Sequence, residues 1–477
     1  MSYGRRKIFT DVAEITAANV IEEVNAAFVV HAKNREEIKK LDRYYRNNTD
    51  IENKTKEVRE SINYKVAEAR CLEVTNFYKG YIFGEPIQYV RREKSQNDST
   101  DDEIAADINA LNSYMSDANK SARDSELGKW ILVAGTGYKM VLPNPNWEKD
   151  GDEAPFEIYA PNPKRTFVIY NNDIEERAIA NVFYSKKKNG NVVFTVYTPK
   201  AVFKYTHTET NVTVKPNPLG RLPIVEYPAA DMLGVFEPVL PLVDALNALQ
   251  SNRLDDVAQY VNSFLAIIGA EVDEETYKRL NEWKLLLLPE GTDAKYLSVA
   301  LSQADIQTLK SDLYQAILTI TGTPNRNGGS STSDTGQAVE LRDGWSSAET
   351  RAKDIETSFK AAEKEYLKVI LKIMRDTVGT KLKLSDIEAH FTRRNYENIA
   401  TKAQVLVAML NCEWIHPEVA YASCGMFPDP ESAYLQGKAW HDENAKKEAE
   451  LNNVNSGTDT LPPVQQETDG LEGAGTD

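Results

Sequence analysis

Apolar positions recur at helical spacing over most of this chain and switch to alternation in its middle. Ile62, Val66, Ala69, Phe77 and Tyr81 fall between charged residues and predict helix through residues 11–82. Gly80 and the run Gly84 to Pro86 punctuate it, and Ser99 to Asp102 reads as the start of the next helix, since short oxygen side chains satisfy free amides there. From Tyr138 to Lys215 the period is two. The runs Phe156–Tyr159, Phe167–Tyr170, Ala178–Tyr184, Val192–Tyr197 and Val212–Val214 predict an antiparallel meander, with Asn189-Gly190 as a tight hairpin turn.

A turn and short strand over Asn217–Tyr227 precede a second helical stripe of Val239, Val243, Leu246, Leu249, Val257, Val261 and Phe264. Its opposite face carries Asp244, Gln250, Asp255, Asp256 and Gln259 and reads as wet, and Gly269 is placed to end it. A short insert follows, with a helical piece at Glu274–Leu280 and strand candidates at Leu285–Leu288 and Ala294–Val299. The next helix opens at Ser302 with Asp305 as its capping partner and is expected to bury Ile306, Leu309, Leu313, Ile317 and Ile320. Its roughly 20 residues span about 30 Å. Residues Thr323 to Gly336 contain no apolar side chain except Pro324, so they predict a loop that faces water. Asp334 and Gln337 are placed to cap a third helix that runs to about Thr377 with a kink at Gly344. Residues 381–394 read as extended, Ile399–Trp440 as helical with breaks at Pro417 and Gly425, and Asn452–Asp477 as a disordered tail. The fold class expected is α+β, predominantly helical.

At 477 residues the chain exceeds what one core usually supports, and several structural regions are expected. Its 56 basic against 72 acidic residues, a net charge of -16, argue against a protein that grips nucleic acid, because tight binders neutralise many phosphates. Cys71, Cys412 and Cys424 are too few and scattered for a disulfide framework. The basic start of the chain leads into no long apolar run, and no window has the roughly 18 apolar residues of a membrane span, so a soluble chain without a signal peptide is expected.

Enzymatic signatures are missing. Gly135-Thr136-Gly137 would need its third glycine at Met140 and leads into a strand, so it reads as a turn and not a dinucleotide loop. Gly128-Lys129 and Gly437-Lys438 precede Trp130 and Ala439, where a phosphate-binding loop needs Ser or Thr. The histidines at 31, 207, 390, 416 and 441 show no zinc spacing. Neither cofactor nor metal is expected. The Gly/Ser loop has two readings: a flexible connector, or a projecting loop whose single cation, Arg326, brushes past a nucleic acid.

The blocks Ile62–Val90, Glu126–Tyr138, Phe156–Tyr170, Asn217–Tyr227 and especially Phe236–Ser251 resemble the portal proteins of tailed bacteriophages, most closely those of long-tailed phages of Gram-positive bacteria. The similarity runs in order from about residue 35 to 440. It implies a homo-oligomeric ring, usually of twelve copies, at one capsid vertex of the virion, assembled in the bacterial cytoplasm. By position it implies a wing (1–230), stem helix 1 (231–268), clip (269–301), stem helix 2 (302–322), tunnel loop (323–335), a long kinked wing helix with a return strand (336–394), a crown (395–450) and an acidic tail (451–477).

Double-stranded DNA would pass through the ring without sequence-specific binding. The resemblance also implies docking of the terminase large subunit and of a head-completion or adaptor protein, and contact with major capsid and scaffolding proteins; no membrane is involved. A sliding duplex is braked by each Lys or Arg contact, so a hydroxyl- and amide-rich wall suits the role. Lys310 and Arg326 are the candidates for transient phosphate contact; Asn325, Asn327, Ser330 and Ser331 would add neutral hydrogen bonds. Trp283, Lys284 and Lys295 are the candidates for docking at the clip. The rival readings are another virion structural protein, such as a minor head or adaptor component, and a nucleic-acid-processing enzyme.

Overall fold

The chain folds as an α+β structure dominated by helices, and the computed structural model describes residues 4–57, 60–92, 101–149, 151–207, 211–261, 264–268, 293–297, 303–325, 344–392, 399–427 and 430–455, with Glu274, Lys278 and Gly291. Two units form within it, residues 1–394 and 395–477.

In the first unit, the alternating middle of the sequence gives two sheets where the periodicity suggested one. Strands β1 (Ile8–Thr10), β5 (Thr166–Asn171), β6 (Ala178–Lys186), β7 (Val192–Tyr197), β8 (Ala201–Thr206) and β9 (Thr213–Pro216) form a six-stranded sheet in that order. β5 to β9 are an antiparallel meander, and β1 joins its edge parallel to β5. β3 (Thr136–Pro143), β4 (Phe156–Tyr159) and β10 (Ile224–Pro228) pair separately, so the run starting at Tyr138 is not part of the meander. At the turn between β6 and β7 only Gly190 takes a positive φ, of 88°. The Lys187 amide donates to Asn191 O and the Gly190 amide to Lys187 O, so the loop is longer than a two-residue Asn-Gly turn.

The N-terminal region departs most from its helical expectation. It contains β1, helix α1 (Val20–Tyr45), a single 3-10 turn (Asp50–Asn53) and helix α2 (Arg70–Phe83); the described residues between 54 and 69 are irregular. Gly80 lies inside α2, and the break comes at Gly84. α1 covers the six-stranded sheet, burying Val20, Val24 and Ala27 against Phe167, Val182, Phe194 and Val196.

The larger core is shared by α2, helices α3 (Asp101–Asp117) and α4 (Lys120–Ala134), and two long helices, α5 (Leu240–Val261) and the one at Trp345–Thr377. Gly135 ends α4 in the left-handed region, at φ 72°, while Thr136 and Gly137 already belong to β3, so the turn expected over Gly135–Gly137 is confined to Gly135. α5 stops at Val261; Phe264 belongs instead to β11 (Phe264–Ile268), which pairs antiparallel with β12 (Asp293–Leu297). Helix α6 (Gln303–Thr321) returns beside α5, and helix α7 (Trp345–Thr377) follows. Gly344, at φ 85°, precedes α7 as its N-cap, so no kink arises there within the described helix. β13 (Ile387–His390) pairs with β2 (Gln88–Arg91).

The second unit packs helices α8 (Ile399–Leu410), α9 (Pro417–Cys424) and α10 (Pro430–Asn455) around Leu406, Ala420 and Cys424. Pro417 opens α9 behind the His416 cap, whose Nδ1 accepts the Glu418 amide, and Gly425 closes it with a left-handed residue. The strand expected at Leu285–Leu288, the cap at Asp334 and Gln337, and the tail beyond Asn455 lie outside the described residues.

Candidate functional site

The α5–α6 pair, its β11–β12 ribbon and the segment after α6 form the candidate site, and the rest of the first unit fixes its base. α5 carries Asn247, Ser251 and Asp255 at i, i+4 and i+8, one face of a helix. All three are buried. Asn247 Oδ1 accepts the Glu68 amide at 2.8 Å, Ser251 Oγ the Val66 amide at 2.9 Å, and Asp255 Oδ1 the Tyr64 amide at 2.7 Å. A strand-like segment is thereby laid along the helix, its alternate N–H groups satisfied by side chains and not by a neighbouring strand. This is why residues 62–69 are not helical, and why Asp255 is buried where the sequence pattern placed it on a wet face. Lys54 and Lys56 approach its Oδ2 at 2.7 and 3.3 Å. Burial would push the Asp255 carboxyl up, but these lysines and the Tyr64 amide hold it below the usual carboxylate range.

α6 is tied to the same region. Lys310 Nζ lies 3.2 Å from Glu68 Oε1, Tyr314 donates to Glu73 Oε1 and stacks under the Arg70 guanidinium at 3.9 Å, and Arg253 of α5 donates to Gln303 and Gln307. Lys310, named from sequence as a phosphate contact, is thus engaged by a carboxylate of its own chain. Of the apolar positions expected to be buried, Ile317 is; Leu309 and Ile320 are half exposed, at 50% and 51%. The exposed arc of α6 is centred on Asp305, Thr308, Asp312, Gln315 and Thr319, a stripe with no Lys or Arg. On α5, Leu254 and Val257 are also exposed.

α2 clasps both ends of the segment between α6 and α7. Tyr78 donates to Thr321 O at 2.8 Å, where Gly322 turns left-handed at φ 67° to end α6. One turn along α2, Tyr81 donates to Glu349 Oε2 at 2.7 Å, and the Phe77 and Tyr81 rings lie 5.8 and 6.1 Å from the Trp345 ring. The Arg351 guanidinium spans the gap to Ile320 O. Asn325 is half-buried just beyond Pro324. Arg326, Asn327, Ser330 and Ser331, and Trp283 and Lys284 of the insert, lie outside the described residues. Lys295 sits in β12 opposite Ala266 of β11.

The densest ionic cluster was not visible in the sequence. Lys120 and Asp124 of α4 pair with each other, Lys139 of β3 reaches Asp124 Oδ1 at 2.6 Å and Glu363 Oε2 at 2.9 Å, and Lys120 lies 3.3 Å from Glu363 Oε1. Tyr89 and Tyr227 hydroxyls donate to Glu363. Burial alone would push the Glu363 carboxyl up; Lys139 and Lys120 outweigh it and hold it down, to about 2. The cluster is charge-balanced and sealed from solvent, so it joins α4, β3 and α7 and offers no opening to a substrate. Only the i, i+4 spacing of Lys120 and Asp124 could have hinted at it.

His31 is also structural: buried in α1 and stacked on Phe167 at 4.6 Å, it is depressed to about 4 by burial. Among the described residues no group of His, Cys, Asp or Glu could hold a metal ion, and no helix is long and apolar enough to cross a membrane.

A family model described as phage portal protein, SPP1 Gp6-like, matches residues 28–450. Among solved structures, one titled "Neck of native GTA particle computed with C12 symmetry" is similar at a TM-score of 0.46 and 14% identity, covering 76% of this chain and 91% of that chain. No curated protein sequence matches.

Proposed function

The chain belongs to the SPP1 Gp6-like family of phage portal proteins, a structural component of the virion, and from that membership we propose that copies of it close into a ring, usually of twelve, whose axial hole conducts double-stranded DNA during packaging and ejection. In this reading residues 1–230 form the wing, α5 and α6 are the stem helices, β11 and β12 belong to the clip, residues 323–335 are the tunnel loop, residues 336–394 supply the long wing helix and return strand, and residues 395–450 are the crown. The clip, with Trp283, Lys284 and Lys295, meets the terminase large subunit and later a head-completion protein.

The observation that carries the reading is the stripe Asp305, Thr308, Asp312, Gln315 and Thr319 on α6. Each Lys or Arg on a channel wall would displace a counterion from DNA and add affinity that a moving duplex must break. This stripe has none, and Lys310, the helix's one cation, is held by Glu68. Facing the lumen, carboxylates, hydroxyls and amides repel the duplex weakly and keep it centred. Beside the stripe, half-exposed Leu309 and Ile320 on α6, with Leu254 and Val257 on α5, are the surfaces that a head-to-tail neighbour covers. Arg326 and Asn325, Asn327, Ser330 and Ser331 of the loop supply the transient contacts.

Electron microscopy of the purified protein tests this directly. Closed rings with a central hole are expected. A particle that remains a single copy under all assembly conditions, and in intact virions, overturns it.

A further inference from the structure

The family match begins at residue 28, yet the residues before it are built into the fold. Arg5 is almost wholly buried, its side chain 1% exposed. Its amide donates to Met232 O at 3.0 Å, its Nη2 lies 2.6 Å from Glu237 Oε1, and its Nε lies 3.1 Å from Glu37 Oε2. Glu237 opens the 3-10 turn that leads into α5, and its carboxylate also accepts the Gly4 amide at 3.4 Å and the Gly234 amide at 3.1 Å. Three residues farther on, β1 locks the same segment onto β5.

The turn that Arg5 holds is strained. Asp231 and Met232 are consecutive residues with side chains in the left-handed region, at φ 54° and 51°, where Cβ crowds the carbonyl oxygen. The backbone packs tightly on both sides. A Cβ on Gly4 would come within 2.5 Å of Asp231 O, and one on Gly135 within 2.1 Å of Met232 O. Asp231 is itself exposed, while Met232 is buried.

Residues Ala229–Val235 also form one wall of a cleft. The facing wall is the end of α6, with Thr319, Ile320 and Gly322, and the start of α7, with Ser347, Arg351 and Asp354. These are the two helix ends that bracket residues 323–344.

We propose that residues 4–10 are a strap that holds the Ala229–Val235 turn in its strained form, so that the cleft wall under the α6 and α7 ends, and with it the root of α5, is set by the N-terminal segment. When Arg5 lets go of Met232 and Glu237, the turn relaxes out of the left-handed region and the cleft wall moves.

Amide hydrogen exchange of the full chain tests this with Arg5→Ala, Asp231→Gly and the double variant. Arg5→Ala is expected to raise exchange over residues 229–240, and over 318–323 and 345–355, by roughly tenfold or more while β6 and β7 stay unchanged. Asp231→Gly removes one of the two Cβ atoms that make the left-handed pair costly, so adding it to Arg5→Ala is expected to restore part of the protection. No rise in Arg5→Ala, a uniform rise across β6 and β7, or no recovery in the double variant overturns the strap. Should Arg5→Ala not fold, Arg5→Lys, which keeps the charge but cannot reach both Glu37 and Glu237, gives a smaller rise confined to the same segments; none overturns the proposal. The measurement needs neither ring nor DNA, so its outcome and that of the channel reading are separable.

Discussion

Lys139 Nζ lies 2.9 Å from Glu363 Oε2, and solvent reaches 0% of one side chain and 1% of the other. With Lys120 and Asp124 they make a buried set of two ammonium and two carboxylate groups. Lys139→Met leaves two carboxylates facing one ammonium and is expected to cost about 3–5 kcal/mol in urea unfolding. Glu363→Gln combined with it restores the charge balance, so the double variant is expected to be more stable than the sum of the singles by over ~1 kcal/mol. Strict additivity would show that the two residues act separately.

Acid is expected to destabilise the fold in two separate steps. His31 has its folded pKa lowered from 6.5 to about 4 by burial, with Arg35 adding to it and the Lys164 carbonyl opposing. The unfolded chain therefore binds the proton first, and His31's contribution, up to about 3 kcal/mol, is complete above pH 6.5 and lost as pH falls toward 4. Glu363, lowered from 4.5 to about 2, contributes stability that is present above 4.5 and lost as pH falls toward 2. Thermal melts from pH 8 to 2 span both, and His31→Phe is expected to flatten only the upper step.

Ser251→Ala removes the acceptor of the Val66 amide inside a buried ladder. The orphaned N–H is expected to cost about 1–3 kcal/mol, seen as a lower unfolding midpoint and faster exchange at residues 64–68. Unchanged exchange there would mean the segment is held by other groups.

Lysines placed on the α6 stripe, at Thr308 or Asp312, are expected to leave rings intact and slow DNA translocation, with the defect relieved by salt. Leu309→Asp is expected instead to block ring closure. Particle imaging and a packaging assay separate these outcomes; the reverse pattern would exchange the two faces.

Shortening residues 328–333 is expected to spare ring formation and impair packaging or retention of DNA. If rings fail to form, that segment serves assembly.

Strands β4 to β7 and part of β9, α6 to within a residue, and the three-helix unit with its breaks at Pro417 and Gly425 are readable because local chemistry sets them, whereas β1 and β8 fall outside the runs that the alternation picks out. Residues 62–69 are not readable, since their apolar spacing fits a helix and only the distant ladder Asn247, Ser251 and Asp255 makes an extended course favourable. The same distance hid the ionic cluster: Lys139 and Glu363 are 224 positions apart and neither sits in a local motif. Helical spacing places Leu309 and Ile320 in the core, and the structure leaves them half exposed, because spacing alone does not say which side of a helix its own chain covers. The portal assignment was legible in long ordered similarity, with no catalytic signature needed.

α7 has 33 residues and therefore a length of about 50 Å. Glu363, pinned by two lysines and two tyrosines, lies near its middle, roughly 27 Å from Trp345. The rod is gripped there and again at its start, where Tyr81 holds Glu349 and packs on Trp345, and Ala348, Ala352 and Phe359 are buried between the two grips. A tilt would have to break contacts at both grips at once, so the start of α7 is a firm abutment for the chain that leads into it.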